Sequence, residues 1–249
     1  MAELPIETYL PGLSIDCVIF GFHEMELKVL LLNMKNQEEW ALPGGFIQKD
    51  QDVDIEANRI LENRTGLKNI FLQQFHLFGD LTRNKAGHAK KLVETKIISD
   101  DLRPWFEQRF LSIGYYALVE YSKVQVPTPD FTSDSCEWCS LNNLPKLIMD
   151  HQQIIDRAHQ VLKKELNYQP IGLNLLPQQF TMSEIQTLYE TVLGKTLDRR
   201  NFRRKILSYD ILVATNKQRK GGTHRAPMLY EFDEEKYTQA IQEGLKSLF

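Results

Sequence analysis

Cysteine is scarce in this chain of 249 residues: Cys17, Cys136 and Cys139 are the three. So few thiols cannot build a disulfide framework, and they fit a reducing interior. Long apolar runs are missing as well. No stretch comes near the roughly eighteen residues that a membrane helix needs, so no membrane span is expected. The N-terminus, Met1 to Pro5, has no basic region followed by an apolar core, so no secretory signal is visible and a cytoplasmic location is expected. A disordered composition is also lacking. Hydrophobic residues make up 42% and charged residues 25%, ordinary proportions for a packed protein. The length suits one large domain or two ordinary ones.

Charge of either sign is nearly balanced overall, at a net -3, but it is unevenly placed. Residues 1–169 hold 24 acids and 18 bases, whereas residues 170–225 hold 4 acids and 10 bases. A small basic unit joined to a larger acidic one points to a polyanionic partner for the C-terminal part.

Along the first part, Ile15 to Phe22 and Leu27 to Asn33 read as a hairpin turned at His23 to Glu26, after a turn-rich arm at Leu10 to Leu13. Trp40 to Leu42 is a third short strand, ended at Pro43, Gly44 and Gly45, where glycine permits backbone conformations closed to other residues. Asp52 or Asp54 is placed to cap the helix that follows, and Gly66 to stop it. Asn69 to Phe78, Ser112 to Val119 and Ser135 to Cys139 read as strands, and His151 to Asn167 as an amphipathic helix. Between Arg83 and Arg109 runs a hydrophilic excursion, long for a connection; a lid and a floppy surface loop are the two readings.

Gly45, Arg59, Leu61, Gly66 and Leu67 keep the frame of a known pattern: Gly, five residues, Glu, seven residues, then Arg-Glu-U-x-Glu-Glu-x-Gly-U with U a bulky aliphatic. This stretch resembles the Nudix box, the loop-helix-loop with which Nudix hydrolases hold magnesium against a diphosphate. What it lacks is the acids. Gln51 stands at the first Glu, Ile60 follows Arg59, and Asn63 with Arg64 replaces the Glu pair. Magnesium needs several converging oxygen ligands; isoleucine offers none and arginine repels the cation. Asp50, Asp52, Asp54 and Glu56 read as helix-start acids rather than substitute ligands. No catalytic residue, metal or cofactor is therefore expected. Cys136 and Cys139 have CxxC spacing but no second pair, and in a strand they point to opposite faces, so neither zinc nor redox chemistry is supported. Asp150 and His151 stand at a helix start, where an aspartate cap is routine.

Beyond Pro170 and Pro177, Thr181 and Glu184 form a capping box opening a helix with Ile185, Leu188, Tyr189 and Val192 buried and Gly194 at its end. A second helix, Arg199 to Ser208, leads to strand-like segments Ile211 to Ala214 and Met228 to Phe232 around the basic loop Asn216 to Arg225. Helix, turn, helix and hairpin make a winged helix in outline. With Phe202 and Ile206 buried, the second helix turns Arg200 and Arg204 outward, flanked by Arg199, Arg203, Asn201 and Lys205. Such a face suits the major groove, where arginine pairs with guanine and asparagine with adenine. Lys217, Arg219, Lys220 and Arg225 of the wing suit phosphates. A merely solvated basic helix is the plain alternative; the coincidence of capping box, helix spacing and basic wing favours DNA.

Taken with Gly44 to Asp50, Tyr115 to Leu118, Leu144-Pro145, Pro170 to Pro177 and Asp198 to Lys205, the chain resembles the Nudix-related transcriptional regulators. That group holds the NAD-pathway repressor NrtR and the arabinose repressor AraR, and the sugar-sensing branch looks the nearer. The resemblance implies a Nudix-like α/β/α sandwich over residues 1–168, followed over residues 169–249 by an α+β winged helix-turn-helix domain. It further implies a homodimer on a palindromic operator in double-stranded DNA, and a small-molecule effector, a pentose such as arabinose, that releases it. For the effector pocket the expected residues are Trp40, Phe46, Gln48, Lys49, Phe78 and Tyr116, aromatics for stacking and polar groups for hydroxyls. The runner-up is an ADP-ribose-responsive regulator of NAD metabolism, or a residual Nudix hydrolase.

Overall fold

The computed structural model describes residues 5–68, 70–83, 87–124, 127–130, 132–166, 172–219 and 226–243. Two compact units divide the chain: Met1–Gly21 with Lys28–Val119 and Lys123–Ala158, and Phe22–Leu27 with Glu120–Ser122 and His159–Phe249.

Unit one is built on a mixed sheet of β1 (Tyr9–His23), β2 (Glu26–Met34), β3 (Trp40–Ala41), β4 (Gly44–Gln48), β5 (Phe71–Phe78), β6 (Leu111–Val119) and β7 (Ser133–Ser140). The order is β3-β2-β1-β6-β5, with β4 added to β1 and β7 to β2. β1 and β6 run parallel, in register from Leu13 opposite Leu111 to Gly21 opposite Val119. Strands buried on both faces read as continuous apolar runs, and Ile15 with Cys17 to Phe20, together with Val29 to Leu32, are all buried. The turn-rich arm is part of β1: Gly12, at φ +72, absorbs the register shift between Tyr9 and Ser14 and lets the strand continue. At the expected hairpin tip, Glu24 and Met25 both take positive φ, as a two-residue connection requires.

The box helix is α1 (Val53–Thr65), closed by Gly66 at φ +70 with its N–H on the Glu62 carbonyl. Asp52 is the N-cap residue, but neither acid caps by its side chain. Asp54 instead accepts from the Tyr115 hydroxyl at 2.5 Å. The glycine pair also differs from expectation, since neither residue has positive φ. Close approach is what demands glycine: a Cβ on Gly44 would lie 2.6 Å from the Ile15 carbonyl oxygen, and one on Gly45 3.2 Å from Ile60.

Among its described residues the excursion after Arg83 carries regular structure. It forms α2 (His88–Glu94), a 3-10 turn (Asp100–Leu102) and α3 (Arg103–Glu107). Leu92, Ile97 and Ile98 make a small core of their own, with Leu102 and Phe106 packed on it. Lys91 Nζ reaches Glu39 at 2.7 Å, and Asn36 donates to the Thr95 carbonyl at 3.0 Å, tying the insertion to the β2–β3 connection. The Lys91 and Lys146 hydrogen bonds hold the Glu39 carboxyl down at about 2. α4 (His151–Glu165) follows β7.

Unit two contains the winged helix: β8 (Phe180–Thr181), α5 (Met182–Leu193), α6 (Arg199–Ser208), β9 (Leu212–Gln218), β10 (Met228–Phe232) and α7 (Glu234–Glu243). Its sheet runs β8-β10-β9. The capping box is complete, with Glu184 N donating to Thr181 Oγ1 at 3.2 Å and Thr181 N donating to Glu184 Oε2 at 2.7 Å. Ile185, Leu188, Tyr189 and Val192 are buried as their spacing required. Asp198 caps α6 by accepting from Asn201 N at 2.9 Å. β9 is longer than expected, and α7 follows the hairpin at a place where no helix was expected. No helix of the described residues is long and apolar enough to cross a membrane.

Candidate functional site

A cavity of about 490 Å³ opens in unit one between the glycine pair, the box helix and the insertion. Ile60, Asn63 and Arg64, the residues standing where a working box has glutamates, all line it. Their side chains decide what it can hold. An isoleucine, an amide and a guanidinium do not fit a magnesium ion, which requires converging oxygens. The nearby Glu56 is buried and already bound, its Oε2 accepting from Arg59 Nε at 3.0 Å. Among the described residues no group of three or more His, Cys, Asp or Glu side chains is placed to hold a metal ion.

Arg64 is fixed by Asp130 at 3.2 Å and the Thr128 carbonyl at 3.1 Å. Asp16, Arg83 and His151 also line the cavity, and with Ser112 and Asp150 they form a buried network. Arg83 Nη2 donates to Asp16 Oδ2 at 2.9 Å, and Nε to Asp150 Oδ1 at 3.2 Å. Ser112 Oγ donates to the same Asp16 oxygen at 2.6 Å. Leu42 N donates to His151 Nδ1 at 2.8 Å, so that nitrogen carries its lone pair and the ring is the neutral Nε2–H tautomer. Burial, the largest effect, lowers the His151 pKa in the same sense, outweighing Asp16 and Asp150. Burial of Asp16 opposes ionisation, but the Arg83 guanidinium and the Ser112 hydroxyl that donate to it prevail and hold its carboxyl below the ordinary range. The Asp150–His151 pair thus does more than begin a helix: both side chains are committed to this network, which residues far apart in sequence assemble.

Apolar wall comes from both sides of the cavity. Phe46 is the hub, with ring centroids 5.7 Å from Tyr9, 5.8 Å from Phe106 and 5.4 Å from Phe110. Leu92, Ile97, Ile98 and His88 of the insertion complete it.

Of the expected pocket residues, Phe46 lines this cavity. Trp40 lies half-buried on β3, and its backbone N–H donates to the Lys146 carbonyl. Gln48 ends β4 opposite Tyr9, and Lys49 is exposed beyond it. Phe78 packs against Phe75, and Tyr116 is wholly buried with its ring near Phe71 and Phe75. Sequence reasoning missed the pocket roles of Asp16, Arg83, His88 and His151. One charged residue inside an apolar strand, Asp16, was the available signal.

On the winged helix, Phe202 and Ile206 face inward. Arg199, Arg200, Asn201, Arg203, Arg204 and Lys205 are all exposed. Arg204 Nη2 donates to Asn201 Oδ1 at 3.2 Å, and Arg203 Nη2 lies 3.4 Å from the Tyr230 hydroxyl, leaving Arg199 and Arg200 beside them on the helix surface. Lys217 is on strand β9 rather than in a loop, because the β9–β10 ladder extends to Gln218 opposite Met228. Arg219 pairs with Glu184. Lys220 and Arg225 lie outside the described residues.

Fold and site together define a Nudix-like α/β domain joined to a C-terminal winged helix. Residues 172–232 match the family model described as the NrtR DNA-binding winged helix domain. Over 229 residues the chain is 28% identical to the ADPR responsive transcriptional repressor NtrR of Acinetobacter baylyi, covering 89% of this chain and 82% of that protein. It is 26% identical over 149 residues to an ADP-ribose pyrophosphatase of Methanocaldococcus jannaschii, covering 58% of this chain and 71% of that one. The crystal structure of Shewanella oneidensis NrtR complexed with a 27mer DNA superposes with a TM-score of 0.71 at 27% identity, over 91% of this chain and 95% of that chain. These likenesses support an NrtR-type regulator, a Nudix-like domain fused to a winged helix; the arabinose-repressor branch finds no support among them.

Proposed function

We propose that this chain is a DNA-binding transcriptional repressor whose Nudix-like domain senses ADP-ribose or a closely related nucleoside diphosphate sugar. The observation that carries the reading is the cavity on the box helix, where Ile60, Asn63 and Arg64 replace metal-binding acids. A cavity so lined keeps the place where Nudix proteins hold a diphosphate but offers arginine and amide instead of metal ligands. Binding without cleavage is what a sensor needs. The printed names of the two relatives, one ADPR-responsive and one acting on ADP-ribose, agree in ligand class. They favour the nucleotide, the runner-up on sequence grounds, over the pentose expected first.

DNA is read by α6, with Arg200 and Arg204 on base edges and Arg199, Asn201, Arg203 and Lys205 around them. Lys217 and Arg219, together with Lys220 and Arg225, serve the phosphates. The chain acts as a homodimer on a palindromic site, and effector binding favours a geometry that mismatches the half-site spacing. The test is selection of a binding site from random duplex DNA, followed by titration of the complex with ADP-ribose and, separately, L-arabinose. Release by ADP-ribose alone is expected; release by arabinose alone would refute the nucleotide reading. Magnesium-dependent hydrolysis of ADP-ribose by the purified protein would refute sensing without cleavage.

A further inference from the structure

Arg83 has five N–H groups in a rigid fork, and the protein uses only part of it. Nη2 serves Asp16 and Nε serves Asp150. Nη1 is buried and, among the described residues, has no hydrogen-bond partner. The side chain is 2% exposed and lines the cavity, at the first residue of the insertion. A buried charged donor left unpaired is costly, so the ligand is the natural source of its acceptor.

The surroundings select the kind of acceptor. One guanidinium stands between two carboxylates, and the neutral ring of His151 adds no charge. His88 adds none readily, because burial lowers its pKa. This end of the cavity therefore has no positive excess, and a phosphate brought here would face Asp16 and Asp150. A hydroxyl differs, because it accepts one hydrogen bond and donates another. It can take the Nη1 N–H and give its own proton to Asp16 Oδ1, which lies 3.7 Å from His151 Nε2, beyond hydrogen-bonding distance. Arg59, Asn63 and Arg64 of the box helix line the same cavity.

We infer that the end of the cavity formed by Asp16, Arg83 and His151 is a hydroxyl-recognising subsite that takes the terminal sugar of a nucleoside diphosphate sugar, with the phosphates lying toward the box helix. Arg83 is its specificity-determining residue. The inference rests on the nucleotide reading above and adds which part of the ligand is discriminated, and by what.

The experiment is calorimetric titration of the full chain with ADP-ribose and with ADP, in the parent and in Arg83→Lys. Lysine keeps a positive charge between Asp16 and Asp150 but loses the fork. The parent is expected to bind ADP-ribose at least about tenfold more tightly than ADP, since a buried polar group left unpaired rejects the shorter ligand. In Arg83→Lys the ratio falls toward one. Equal affinities in the parent, or an unchanged ratio in the variant, overturn the subsite and leave the nucleotide reading standing. Binding of neither compound by the parent removes both. Should Arg83→Lys not fold, the Arg83 Nε–H resonance of the parent gives the same answer: it shifts with ADP-ribose and not with ADP, and equal shifts overturn the proposal.

Discussion

Arg83 Nη2 lies 2.9 Å from Asp16 Oδ2, which joins the first residue of the insertion to the central strand β1 across 67 residues of chain. The same guanidinium reaches Asp150 beside α4. A single side chain thus sets where the insertion begins, holds two buried carboxylates together and faces the cavity.

Removing it leaves both acids buried without compensation. Arg83→Ala is expected to destabilise unit one by about 3–5 kcal/mol, the usual cost of breaking a buried ion pair from one side. Urea unfolding followed by tryptophan fluorescence reads this. A loss under about 1 kcal/mol would mean that the network is far wetter than the distances indicate.

Acid acts on the same network. His151 has a folded-state pKa below the ordinary 6.5, chiefly because it is buried. Between that ordinary value and the lower native one, the unfolded chain binds more protons than the folded chain, so stability falls as pH drops. Asp16, lowered from 3.8, adds a second loss as pH falls further. The urea midpoint should therefore decrease from about pH 7.5 to about pH 5.5, and His151→Gln should flatten that decrease. An equal slope in parent and variant would show that His151 is not the group responsible.

Arg200 and Arg204 are exposed on α6, so replacing them should leave folding intact while changing DNA affinity. Each alanine variant is expected to lose roughly tenfold or more against the selected site and to relax its sequence preference. Thermal midpoints within about a degree of the parent would confirm that the loss is one of recognition. Parent-like binding by both variants would remove α6 from the interface.

Lys217 makes a different prediction. A phosphate contact contributes to every sequence equally, so Lys217→Ala should weaken specific and non-specific DNA together. It should also lower the slope of log affinity against log salt by about one. A loss confined to the specific site would instead place Lys217 on a base.

The capping box at α5 supports the whole winged helix. Thr181→Ala removes the acceptor of Glu184 N and one partner of its carboxylate, and should cost about 1 kcal/mol in stability. Thr181→Ser, which keeps the hydroxyl, should recover most of it. Failure of serine to rescue would point to the methyl group of Thr181, a residue only 5% exposed, rather than to the cap.

Much of this protein was determined locally and is legible in the chain alone. The apolar runs of β1 and β2, the capping box of Thr181 and Glu184, the glycine stops at Gly66 and Gly194, and the inward stripe of Phe202 and Ile206 each follow from residues within a few positions of one another. The missing acids at Ile60, Asn63 and Arg64 are equally a property of sequence, and they alone argue against a metal. The cavity was decided elsewhere. Asp16, Arg83, Asp150 and His151 are separated by up to 135 positions in the numbering and meet only because β1, the insertion and the start of α4 converge. Periodicity reports which face of an element is apolar, not which distant charged residue will be buried against it. Tyr116 and Phe78 showed aromatic character without showing its direction, and packing turned Tyr116 into the core. Arg83 carried no local signal of its role; the two carboxylates that hold it are supplied by the fold.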